Sequence, residues 1–174
     1  MKWKKLWNMI KDRYQLVETA TSFSFRPFYH YKKRLKWYLS LILIVAGYLF
    51  IEFPRLSETL LIIGVTVLLL SLYFFMKEMV LIPITYIFEQ SQRMVYRRFS
   101  PCSQQEIMPF DDIVILRSSA HGVWHYATGR KRRQFLKNYA ISENFNDSNK
   151  KETRRIAFER EILDKIENLI SSNP

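Results

Sequence analysis

The sequence predicts a membrane α-helical hairpin joined to an α+β domain, in which an antiparallel β-sheet or barrel is closed by a C-terminal helix. Two stretches, Trp37 to Ile51 and Thr59 to Met76, contain no charged residue. After Pro83 the composition turns to strand formers separated by turn residues, and within residues 150–171 the apolar positions recur with a helical period. The expected organisation is therefore a basic N-terminal segment at 1–34, a hairpin at 35–78 and a β domain at 79–174.

Composition bounds what such a chain does. Its 174 residues are 48% hydrophobic, which excludes a disordered tail, and only 4 are glycine, which excludes a collagen-like repeat. The net charge of +11 calls for a polyanionic neighbour, either lipid head groups or nucleic acid. A single cysteine, Cys102, excludes an internal disulfide framework and a cysteine-rich zinc site within one chain.

The first 17 residues place Trp3, Leu6, Trp7, Ile10, Tyr14 and Val17 at steps of three and four, with Lys2, Lys4, Lys5, Lys11 and Arg13 mostly elsewhere on the wheel. A basic helix carrying two tryptophans suits the head-group boundary of an anionic membrane, so Trp3, Trp7, Lys4 and Lys5 are expected interface residues. The other reading packs the apolar side on the C-terminal domain as ordinary core. Pro27 prevents one continuous helix up to the first apolar run.

At about 1.5 Å per residue, the 18 residues from Thr59 to Met76 form a helix of roughly 27 Å, near the thickness of the hydrocarbon layer. The first run reaches that length when Leu35, Glu52 and Phe53 are counted. A soluble hairpin of this kind would need covering on every side, and the remaining residues are too few and too charged to do so. The short connection from Glu52 to Glu58 makes the helices antiparallel neighbours. Gly47 and Gly64 either let the backbones approach or simply face lipid. Trp37, Tyr38 and Tyr73 occupy the interfacial depth of one leaflet. Residues 1–36 hold ten Lys or Arg against Asp12 and Glu18, so both termini are expected on the cytoplasmic side, with no cleaved signal.

In the last region, Ile84 to Phe88 and Met94 to Phe99 flank an EQSQR turn as a β-hairpin. Ile113 to Leu116, Val123 to Ala127 and Gln134 to Ile141 supply three further strands, the last two separated by the turn Gly129 to Arg133. Phe158, Ile162, Ile166 and Leu169, with Ile156, Leu163 and Ile170 beside them, give the final helix an apolar side that the sheet must cover.

A hairpin followed by ITYIFEQSQRMVYRRF, then IMPFDDI, then more strands and one helix resembles the bacterial membrane proteins that carry a cytoplasmic PH-like domain. The matching stretch runs from about Leu35 onward, and the long basic N-terminal helix departs from the pattern. The resemblance implies a non-enzymatic scaffold or interaction domain at the bacterial inner (cytoplasmic) membrane, with a protein partner. Some comparable small hairpin proteins are immunity partners of membrane-targeting toxins delivered by interbacterial secretion systems, which supplies the alternative function.

No motif points to catalysis, a metal or a cofactor. His121 and His125 have a ligand-like spacing without a third donor, because Cys102, Asp111 and Asp112 have no sequence reason to join them. Asp111 and Asp112 read as a turn entering a strand. The basic turn Arg130, Lys131, Arg132, Arg133 is the expected contact for a phosphate head group. For a domain tethered to an anionic leaflet, lipid outranks nucleic acid. A homo-oligomer stays open.

Overall fold

The computed structural model describes residues 2–52, 54, 57–100, 103–120, 123–132, 137–145 and 149–171, with only the backbone of 2–6, 100, 120 and 149–151. The chain divides into two units, Met1–Tyr29 with Pro83–Pro174, and His30–Ile82. Beside the expected boundaries at 34 and 79, the compact units change over after Tyr29 and after Ile82, and residues 1–29 group with the β unit.

That unit opens with α1 (Lys2–Tyr14). Its end is fixed by Gln15, whose φ of 49° is left-handed, and by the Leu16 amide, which donates to the Lys11 carbonyl at 3.3 Å. This six-to-one closure satisfies a carbonyl that the last turn leaves open. It also stops the helix before Val17, which instead belongs to β1 (Val17–Glu18). Ile10 and Tyr14 are fully buried, because the apolar side of α1 goes into the protein core. At Ile10 and Tyr14 the helix follows the second of its two sequence readings, with apolar side chains packed as core.

The strands are β2 (Ser22–Phe25), β3 (Thr85–Glu89), β4 (Met94–Ser100), β5 (Ser103–Pro109), β6 (Ile113–Ala120), β7 (Val123–Arg130) and β8 (Asn138–Ala140). They form two antiparallel sheets, β1-β2-β3-β4-β5 and β6-β7-β8, and the ladders do not join into a barrel. Alternation fixes the inner face of the larger sheet. Phe23 pairs with Phe88, which pairs with Val95, which pairs with Met108, and all four are buried. Beside them Phe25 stacks on Phe88 at 6.1 Å. The strand expected over Gln134 to Ile141 is described only as β8, residues 133–136 lying outside the described residues.

The final helix comprises α4 (Asn149–Phe158), one π turn (Glu159–Leu163) and α5 (Asp164–Ser171). Phe158 stacks on Tyr126 of β7 at 5.8 Å and meets Tyr14 of α1 at 5.2 Å. The wider π turn changes which positions share a face. Ile156 is 43% exposed whereas Leu163 is buried, so the two do not share the expected stripe.

The second unit is a turn of 3-10 helix at Tyr29–Tyr31, α2 (Lys32–Glu52) and α3 (Glu58–Leu81). Ser57 caps α3 by accepting from the Leu60 amide, and Glu58 places a negative charge in the first turn. Both helices are long and apolar enough to cross a membrane. No residue of α2 is buried, and Phe50 is 86% exposed, so α2 is not a core helix within this chain. A Cβ on Gly64 would sit 2.7 Å from Leu49 Cδ2, so the missing side chain permits a close approach there. Gly47 has nothing within 4 Å and plays no such part.

Candidate functional site

The entrance of the hairpin gathers the residues expected at a lipid interface. Tyr38, early in α2, stacks on Phe74, late in α3, at 6.1 Å, which puts Tyr38 and Tyr73 at one end of the hairpin. Trp37 is 79% exposed and Tyr73 60% exposed. At the same end Arg34 lies 4.0 Å from Glu78. Amphipathic rings and long cations at the exposed end of an apolar helix pair are the usual furniture of a membrane boundary.

The N-terminal interface residues lie differently. Trp7 is half-buried, with the Lys165 ammonium 5.0 Å from its ring, and that lysine also pairs with Glu18. The aromatic ring thus contacts the domain. The side chains of Trp3, Lys4 and Lys5 lie outside the described residues.

The basic turn is partly committed to the fold. Arg130 Nη2 donates to the Ile107 carbonyl at 2.8 Å, and Lys131 Nζ donates to the Asp111 carbonyl at 2.6 Å. The Lys131 amide in turn donates to the Asp112 carbonyl at 2.8 Å. Asp111 and Asp112 belong to a single 3-10 turn at Phe110–Asp112, and Asp111 also pairs with Arg93 at 2.9 Å. Two of the four expected phosphate contacts are therefore engaged within the domain, Arg130 tying the end of β7 to β5 and Lys131 tying its turn to the 3-10 turn. Arg132 is exposed, and Arg133 lies outside the described residues.

A second basic feature has no counterpart in a charge run. On the outer face of the larger sheet a cleft of 410 Å³ is lined by Arg26, Thr85, Ile87 and Arg98, with Ser24 and Phe99 at its sides. Strand register assembles it. Thr85 pairs with Arg98, Arg98 pairs with Gln104, and Arg26 Nε donates to Thr85 Oγ1 at 3.2 Å. Arg98 Nη2 donates to Gln104 Oε1 at 2.8 Å, while its buried Nε has no hydrogen-bond partner. The only sequence traces of this cleft are the cations of FRPF and YRRF, which are 72 positions apart at Arg26 and Arg98.

No group of three His, Cys, Asp or Glu among the described residues is placed to hold a metal ion. His125 stands half-buried on β7, where burial lowers its pKa, and His121 and Cys102 lie outside the described residues. Burial also raises the Tyr126 phenol, which donates to Glu159 across the sheet-helix contact. The Tyr126–Glu159 bond braces the fold. No family model matches the chain, and neither a curated protein nor a solved structure matches it.

Proposed function

We propose that this chain is a non-enzymatic membrane protein of the bacterial inner membrane, in which α2 and α3 cross the bilayer and hold a PH-like domain at the cytoplasmic leaflet for a protein partner. The observation that carries the reading is the pairing of β2 with β3 on either side of the helical hairpin. One strand precedes the apolar helices and the other follows them, and the pair shares one sheet, so both ends of the hairpin must return to one side. An even number of crossings satisfies that demand. The ten cations of residues 1–36 favour the cytoplasm as that side.

The PH-like assignment has its own support. Counting from β2 to β8 gives seven antiparallel strands divided four and three between the sheets, with β1 an addition at one edge, and a helix follows them. A partner has free strand edges to use. Ser103 to Glu106 of β5 are exposed along an outer edge of the larger sheet, where an added strand would find unpaired backbone groups.

The test combines fractionation, labelling and capture. The full chain should sediment with membranes, be released by detergent and carry reporter tags at both ends on the cytoplasmic side. Mild extraction should then recover it with a stable protein partner. Tags in opposite compartments would defeat the hairpin reading, and recovery of a bare monomer would defeat the interaction reading.

A further inference from the structure

We infer that the cleft between Arg26 and Arg98 is a binding site for the phosphate diester of an anionic phospholipid; the inference rests on the reading that α2 and α3 span a membrane. Three observations converge on it.

The first is charge. Two guanidinium groups flank Thr85, and no carboxylate lines the cleft among the described residues. Like charges gathered without a counter-ion repel each other, and an anion between them removes that repulsion while gaining charge-assisted hydrogen bonds. The second is unused donor capacity. Arg98 has a buried Nε without a partner, while Gln104 holds only one corner of its guanidinium. A guanidinium offers a planar fork of donors suited to phosphate oxygens. Thr85 Oγ1, which donates to the Pro83 carbonyl at 3.2 Å, holds Arg26 in place, and Val17, Ile87 and Phe99 supply apolar walls on which a glycerol backbone can lie.

The third observation is covalent and selects the source of the phosphate. Pro83 and Thr85 follow the last residue of α3, Leu81, by two and four positions. Four residues of extended chain reach at most about 14 Å. The 24 residues of α3 make a helix of roughly 36 Å, longer than a hydrocarbon core of about 30 Å, so its last turns already stand among head groups. A lipid phosphate is within reach there.

The test uses the full chain in nanodiscs of phosphatidylcholine with a minor fraction of phosphatidylglycerol, followed by re-extraction in neutral detergent and native mass spectrometry of retained lipid. One phosphatidylglycerol per chain should persist in preference to phosphatidylcholine. The double variant Arg26→Gln, Arg98→Gln should lower that retention on the order of tenfold. Arg160→Gln, exposed on the final helix and outside the cleft, should leave it unchanged. Arg26→Lys with Arg98→Lys keeps both charges without the fork and should retain an amount of lipid between those of the parent and the double Gln variant, which separates lost recognition from lost folding. Equal retention of the two lipids, or retention by the double Gln variant equal to that of the parent, would overturn the inference while leaving the anchor intact. Displacement by inorganic phosphate more readily than by a short-chain phosphatidylglycerol would overturn the lipid source. A chain that stays in solution without detergent would overturn the anchor and this inference with it.

Discussion

Glu143 is 6% exposed, yet it joins three parts of the β unit through its two oxygens. Arg13 of α1 donates to both, at 2.5 and 3.1 Å, and Arg154 of α4 approaches at 3.5 Å. A buried carboxylate needs such partners, because its desolvation in isolation costs several kcal/mol. Glu143→Ala leaves two guanidiniums facing each other and should lower unfolding stability by about 3–5 kcal/mol. Arg13→Ala should cost less, since Arg154 still faces the carboxylate; denaturant unfolding in detergent compares the two. His125 gives the protein a pH dependence of definite sign. Burial lowers its pKa from the ordinary 6.5, so near and below that pH the unfolded chain binds the proton more readily than the folded one. Its contribution is present above pH 6.5 and is lost as the pH falls through the depressed value. His125→Gln should flatten that part of the stability profile, and equal slopes for the two proteins would refute the assignment.

Among the elements, the π turn at Glu159–Leu163 decides the packing of the final helix. It brings Phe158, Ile162, Leu163 and Ile166 to the core together and leaves Ile156 outside. Inserting one alanine after Arg160 would add a residue that the wide turn does not already absorb, and would rotate everything beyond it by roughly 100° relative to α4. That variant should unfold well below Arg160→Ala, with thermal melts as the measure. The sequence carried no sign of the turn, because an unbroken heptad pattern is also what a regular helix would give. The apolar helices were legible, since absence of charge over a whole span needs no partner to interpret. β3 and β4 were legible as a local hairpin. β2 was not, because its four residues SFSF have their partners 61 to 67 positions away, and only non-local pairing makes them a strand. β5 was hidden for a different reason. Four exposed polar residues, Ser103 to Glu106, read as loop until an edge position explains them. The Arg26 and Arg98 cleft shared the fate of β2, since strand register alone brings its two cations to one threonine.

At the scale of the whole molecule, the β unit is interrupted in sequence and continuous in space. Phe25 pairs with Tyr86, so the points where the chain leaves and re-enters the sheet are neighbours. Excising residues 30–82 and joining Tyr29 to Pro83 should leave a short loop between paired strands and yield a folded, water-soluble domain. The fragment 83–174 should not fold, because it lacks Ile10, Tyr14, Phe23 and Phe25, all buried in the core. Cooperative unfolding and dispersed amide resonances in the excised protein, and neither in the fragment, are the expected outcomes. The interruption also sets an order of events during synthesis. β2 emerges from the ribosome 59 residues ahead of β3, counting positions 26 to 84, and everything between them belongs to or borders the two greasy helices. The sheet can be stitched only after that stretch has left the ribosome, and until then the side of β2 that β3 will cover stays a raw seam.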